Sequence, residues 1–227
     1  MSTVLITGVS KGIGKELARI FEESGYVVLG TERDPVSEEQ KESLKLFTLD
    51  LSDPKSIESF ADSISNTGVK IDILINNAGT LVDDELTQVH IDKLRQTLEV
   101  NLIGTIDLTE RMLPIMNNNG HIINISSTAG SLTHTTEGTD SHYPNHYPAY
   151  KISKCALNMY TRTLAMRFRL EKSDIRVSSV HPGWVKTDIG GEEADIEPKE
   201  SARHIYEFAI TRPESGKFWF EGKELEW

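Results

Sequence analysis

The chain has 227 residues, 37% hydrophobic and 26% charged, with a formal charge of −11 and a single cysteine. That length suits one substantial core better than two, and no run of about eighteen apolar residues is present to span a bilayer. The negative balance repels phosphate backbones and the lysines and arginines gather in no stripe, which argues against nucleic acid. The lone Cys155 can form no internal disulfide and suits a reducing cytosol.

The N-terminal "MSTVLITG" has no basic flank before its apolar run, so 3–7 reads as a strand and not as a signal peptide, and a cytoplasmic location is expected. A helix over 14–25 and strands over 26–31 and 44–49 follow. Next come a helix over 54–64, opened by Ser52-Asp53-Pro54, and a strand over 71–77. A long helix is predicted over 92–116, a strand over 121–126, the longest helix over 149–172 and a strand over 175–181. A helix over 198–210 and a last strand over 216–220 complete the chain. Runs such as "VLIT" and "ILIN" are apolar throughout, as strands covered on both faces are. The pattern predicts an α/β protein: one Rossmann-like domain over 1–227, built on a doubly wound, mostly parallel sheet. Two polar stretches break the rhythm, at about 128–149 and 185–198. Each follows a strand where an open α/β sheet takes its ligand, so both are read as site loops.

"TGVSKGIG", Thr7 to Gly14, joins the first strand to the first helix. Gly8, Gly12 and Gly14, with Ser10, Lys11 and Ile13 between them, would let backbone N–H groups and a helix N-terminus approach a pyrophosphate. The segment "YPNHYPAYKISKCALN" then offers two tyrosines, each four residues before a lysine: Tyr147 with Lys151 and Tyr150 with Lys154. Pro148 disfavours helical geometry at Tyr147 and suits a first helical turn itself, so Tyr150 and Lys154 fall on one helix face and can address one ligand. A nearby ammonium would favour phenolate, which suits Tyr150 to proton exchange with a substrate oxygen.

His134, His142 and His146 with Asp140 have no metal-ligand spacing, and Pro144 interrupts a helix between the last two histidines, so no metal is expected. The stretch reads instead as a lid, with Tyr143 and Tyr147 lining a pocket. Cys155 is expected to be buried and inert. For the dinucleotide, Lys11 and Arg33 favour the 2′-phosphate of NADP, while Glu32 could hold ribose hydroxyls and leaves NAD open.

The glycine turn resembles the T-G-x-x-x-G-x-G fingerprint of the short-chain dehydrogenase/reductase family. The likeness continues through "NNAG" at Asn76 to Gly79, Asn101 in "EVNLIG", "NISS" at Asn124 to Ser127, "YKISK" at Tyr150 to Lys154 and "HPGWVKTD" at His181 to Asp188. The stretch "HPGWVKTDIGG" and the ending "FEGKELEW" look more narrowly like the C-factor and sniffer-type carbonyl reductases. The resemblance implies Tyr150 as general acid or base, Ser127 as donor to the substrate oxygen in preference to Ser126, and Lys154 also on the ribose hydroxyls. It implies Asn101 as holder of a water leading from the lysine. Asp50 and Leu51 would border the adenine, with Asn77, Ala78 and Gly79 along the adenosine. Pro182, Gly183, Val185 and Thr187 would stand near the nicotinamide or the phosphates. The expected activity is hydride transfer between NADP(H) and a small-molecule carbonyl or alcohol, with no membrane partner and with pairing into a homodimer or homotetramer left open. A nucleotide-binding sensor with little catalysis is the alternative, and an epimerase or dehydratase a third reading. Neither the substrate nor the role of 134–146 is legible from the residues.

Overall fold

The computed structural model describes residues 1–34, 43–83, 88–134 and 147–227. Thr3–Thr7 forms β1, buried at every position because successive side chains enter cores on opposite faces: Leu5 one layer, Val4 and Ile6 the other. Parallel to it run β2 (Val27–Glu32), β3 (Leu44–Thr48), β4 (Ile71–Asn76), β5 (Met116–Ile125), β6 (Arg176–Val180) and β7 (Lys217–Phe220). A short antiparallel β8 (Lys223–Leu225) closes the edge, and the order is β3-β2-β1-β4-β5-β6-β7-β8. Strand order reverses between β1 and β4, which is where a doubly wound sheet opens a crevice beyond its carboxyl ends.

Helices α1 (Gly12–Glu23) and α6 (Pro198–Ala209) cover one face, burying Leu17, Phe21, Ile205 and Phe208. On the other face lie α2 (Pro54–Asn66), α4 (Thr105–Met112) and α5 (Pro148–Glu171), with Ile57, Phe60, Leu108 and Phe168 in the core. Asp53 caps α2, accepting from Lys55 N–H at 3.0 Å. Among the described residues no helix is long and apolar enough to cross a membrane.

Three departures from the sequence reading are larger than a shift of one or two residues at an element's end. The helix predicted over 92–116 is α3 (Ile91–Leu98), a wide π-helical turn over Glu99–Gly104, α4 and a 3₁₀ turn over Leu113–Ile115. Hydrophobic periodicity cannot register one extra residue in a turn, and the Thr105 hydroxyl supports it by bonding Val100 O, five residues back. Strand β5 begins five residues before the predicted start: Ile71 pairs with Met116, and the register shifts before Ile73 pairs with His121. The sequence reading assigns 117–120 to no element, but Asn117 Nδ2 donates to Asp72 Oδ1 at 2.7 Å and keeps the segment on the sheet. The strand over 216–220 is not the last, because Glu221 and Gly222 both take positive φ and turn the chain back into β8.

Candidate active site

At the switch point the turn after β1 is shaped by glycine. Gly8 (φ 73°) and Gly12 (φ 57°) are left-handed, and a β-carbon on Gly14 would stand 2.0 Å from the Gly8 carbonyl oxygen. Gly8 and Val9 N–H both donate to Thr31 O, at 3.0 and 2.9 Å. The β4 loop grips the same turn: Thr7 Oγ1 accepts from Asn77 and Ala78 N–H, and Asn77 Nδ2 donates to Thr7 O and Gly8 O. Helix α1 starts at Gly12 with no side chain capping its first amides. This glycine-walled cradle at a helix N-terminus fits a dinucleotide pyrophosphate. Ser10 is exposed at its rim, while Ile13 packs inward against the core.

At the far end of the crevice Thr31 is buried, Glu32 half-buried and Arg33 exposed. Asp50 accepts from Ser52 Oγ and N–H, which together with the positive field of Arg33 hold its carboxyl below the usual range against the opposing effect of burial. Arg33 therefore stands near the candidate adenine-side residues Asp50 and Leu51.

On the opposite wall, Lys11 forms an ion pair with Asp188, both side chains nearly three-quarters exposed. Beside this pair a β-carbon on Gly12 would lie 3.2 Å from Thr187 Cγ2. The loop after β6 is clamped along its length. Val185 bridges to Ile196, Trp184 Nε1 donates to Gly190 O at 2.8 Å, and Pro182 O accepts from Ser201 Oγ at 2.6 Å. Gly183 (φ 87°) lies beneath Ile196, whose Cδ1 would be 2.3 Å from an added β-carbon.

Helix α5 brings the tyrosine and lysine together. Tyr147 stands outside it as N-cap, left-handed at φ 60°, while Tyr150 and Lys154 lie within. The Lys154 ammonium is buried and donates to Ile125 O at 2.8 Å; it stands 5.5 Å from the centre of the Tyr150 ring. Gly79 of "NNAG" lies against the lysine, since a β-carbon there would be in ordinary contact with Lys154 Nζ at 3.7 Å. Burial pushes the Lys154 ammonium down to about 8.

Two residues past Ile125, Ser127 is half-buried and accepts from Ala129 N–H at 3.1 Å. Ser126 is 1% exposed and spends its hydroxyl on Asn158 Oδ1 at 2.6 Å, which leaves Ser127 as the serine on the open side. Asn101 sits in the π-helical turn with its side chain wholly engaged: Oδ1 accepts from Thr80 N–H, and Nδ2 donates to Thr80 O and Ser153 Oγ. Its amide thus braces the loop after β4 against α5.

Cys155 is half-buried, not enclosed as expected, because it lies one residue beyond the buried face that holds Ser153 and Lys154. His134 bonds Ser131 Oγ through Nδ1 at 2.9 Å, whereas Asp140, His142, Tyr143 and His146 lie outside the described residues. Among the described residues no group of three metal-ligating side chains is found.

Sequence reasoning missed three participants. Asp188 faces Lys11; His181 Nδ1 accepts from Thr128 N–H at 3.4 Å, beside Ser127; Asp83 reaches α5 at Ala149 N–H. Only "HPGWVKTD" gave a signal, for the first two; "LVDD" carries none.

The short chain dehydrogenase family model matches residues 2–197. A curated relative from Rhodococcus sp. (strain AD45), 1-hydroxy-2-glutathionyl-2-methyl-3-butene dehydrogenase, is 29% identical across the full length of both chains. Among solved structures, the carbonyl reductase Sniffer of D. melanogaster is similar at 27% identity and a TM-score of 0.87, with both chains fully covered. The NADPH-bound carbonyl reductase from chicken fatty liver is similar at 28% identity and 0.86, covering 100% of this chain and 99% of that one. With that match spanning most of its length, on a sheet whose switch point carries the glycine turn, the chain belongs to the short-chain dehydrogenase/reductase family.

Proposed function

We propose that this family member transfers hydride between NADP(H) and a carbonyl or alcohol substrate, with Tyr150, Lys154 and Ser127 as the groups that handle the proton and the oxygen. The observation that carries the reading is the Lys154 ammonium, buried beside the Tyr150 ring and bonded to Ile125 O, two residues before Ser127. An ammonium held in a dry site favours negative charge next to it, and so favours proton loss from the phenol as the substrate oxygen gains charge. The Ser127 hydroxyl supplies a second donor to that oxygen. The bound dinucleotide would supply the hydride.

Arg33 and Lys11 supply positive charge at the ends of the crevice, which supports NADP over NAD. The NADPH-bound neighbour supports the same choice.

The test is a panel of aldehydes, ketones and quinones with NADPH, followed by loss of reduced-cofactor absorbance, on wild-type protein and on Tyr150→Phe and Tyr147→Phe. Turnover is expected in the wild type and in Tyr147→Phe, with loss of at least about a hundredfold in Tyr150→Phe and little change in NADPH binding. Tight NADPH binding with no oxidation by any compound would favour the sensor reading, and full activity in Tyr150→Phe would move the proton elsewhere.

A further inference from the structure

Helix α5 lacks a cap of its own. Its N-cap is Tyr147, in left-handed geometry (φ 60°, ψ 50°) and with no side-chain hydrogen bond that caps the helix, where an extended Ser, Thr, Asp or Asn is the usual solution. Pro148 at the first helical position has no N–H. The first amide the helix can offer is Ala149 N–H, and it donates at 2.7 Å to Oδ2 of Asp83, 66 residues earlier in the chain. Asp83 is 5% exposed, and its Oδ1 has no hydrogen-bond partner among the described residues. A buried carboxylate satisfied on one side only is costly, and the helix N-terminus offsets part of that cost with its partial positive charge.

The loop that carries Asp83 holds the same helical turn a second time. Thr80 is bonded through both its N–H and its carbonyl to the Asn101 side chain, Asn101 Nδ2 donates to Ser153 Oγ at 3.1 Å, and Ser153 Oγ donates to Tyr150 O at 2.7 Å. One tie lands on the residue before Tyr150 and the other on Tyr150 itself. Both start from residues 80–83, directly after the "NNAG" loop that is bonded to the glycine turn.

We propose that Asp83 is a positioning residue, which fixes the turn bearing Tyr150 to the loop beyond β4 and so sets the phenol relative to the dinucleotide crevice. The inference rests on the oxidoreductase reading of the site. It separates geometry from binding: loss of Asp83 lowers kcat and leaves NADPH affinity intact.

The experiment compares Asp83→Ala, Asp83→Asn and Asp83→Glu for kcat, for KM of the carbonyl and of NADPH, for Tm, and for amide exchange across 149–154. Asp83→Ala is expected to lose about tenfold to a hundredfold in kcat, to keep KM for NADPH within about twofold, and to exchange faster at 149–154. Asp83→Asn, whose side-chain oxygen caps as well, regains most of the rate. Asp83→Glu keeps charge and acceptor but adds one methylene, and is expected to lose at least about fivefold in kcat while folded, which keeps the test open if the alanine variant does not fold. A lower Tm with unchanged kcat in the folded Ala and Glu variants overturns the proposal, because Asp83 then serves stability alone. Should wild-type protein be inert across the carbonyl panel, the oxidoreductase reading fails separately. Amide exchange then decides the tie: acceleration in Asp83→Ala upholds it and an unchanged rate overturns it.

Discussion

The Lys154 ammonium lies 5.5 Å from the centre of the Tyr150 ring, one helical turn further along α5, and is anchored at 2.8 Å on the carbonyl of Ile125. Burial pushes it down to about 8 from an ordinary 10.5. If its charge assists Tyr150, kcat/KM for the carbonyl declines as pH rises through about 8, since that ratio reports groups in the enzyme form that the carbonyl meets. Stability follows the opposite trend. The folded pKa lies below the unfolded one, so the unfolded chain holds the extra proton between about 8 and 10.5, and stability rises with pH across that window. A pH profile of kcat/KM that is flat through this region would separate Lys154 from the chemistry.

In the proposed function, Arg33 and Lys11 set the cofactor preference, and the two are differently placed. Arg33 is exposed after β2 near Asp50, so Arg33→Ala is expected to weaken NADPH binding by about tenfold to a hundredfold while changing NADH binding by less than about twofold. Lys11 already has a partner in Asp188. An exposed pair of this kind contributes at most about 1 kcal/mol, so Asp188→Asn should release Lys11 and tighten NADPH binding by no more than about fivefold. Titration by fluorescence or calorimetry checks both, and equal losses for NADPH and NADH in Arg33→Ala would remove the 2′-phosphate contact.

The layered fold was legible because parallel strands buried on both faces are apolar throughout, as β1 is, and because Pro and Gly punctuate the helices. That Tyr147 lies outside α5 and Tyr150 within it was legible for a local reason, the restriction that Pro148 puts on its predecessor, although Tyr147 meets it in left-handed geometry and not in the extended form that proline favours. Partners set by tertiary approach were not legible. The bond from Asp83 to Ala149 spans 66 residues and the pair of Lys11 with Asp188 spans 177, and neither leaves a periodicity. The π-helical turn at Asn101 was hidden for a related reason: at its end Gly104 lies against the backbone of Leu51, a tertiary approach that leaves no trace in the periodicity.

His121 on β5 ties the sheet to α6, with Nε2 at 3.0 Å from Ser178 Oγ and Nδ1 donating to Ala209 O at 3.3 Å. Burial pushes it down to about 4 from 6.5. The unfolded chain therefore binds a proton that the native state refuses as pH falls from about 6.5 to 4, and stability drops across that window by up to about 3 kcal/mol. His121→Asn, which has no proton to gain, should unfold more easily at neutral pH yet lose less stability on acidification. Urea midpoints at the two ends of the window measure the slope, and an identical acid loss in variant and wild type would assign it to other groups.

Gly104 lies against the backbone of Leu51, one of the candidate adenine-side residues. It ends the π-helical turn that carries Asn101, and a β-carbon there would stand 1.9 Å from the Leu51 carbonyl oxygen and 2.8 Å from its carbonyl carbon. Both obstacles are backbone, so no side-chain rotation relieves them. Either the helix withdraws, shifting Asn101 and its ties to Thr80 and Ser153, or the Leu51 segment moves and disturbs Asp50 beside it. Gly104→Ala is therefore expected to cost about 1–3 kcal/mol, the range for overpacking, and to weaken NADPH binding in the protein that folds. Gly68→Ala is the control. That glycine is also left-handed, at φ 70°, but an added β-carbon meets nothing within 4 Å, so only conformational strain of about 1 kcal/mol is expected and NADPH affinity should hold. Measured by urea unfolding and NADPH titration, the two variants should differ more in affinity than in stability. Equal affinities would mean that the crevice absorbs the displacement without passing it to the adenine side.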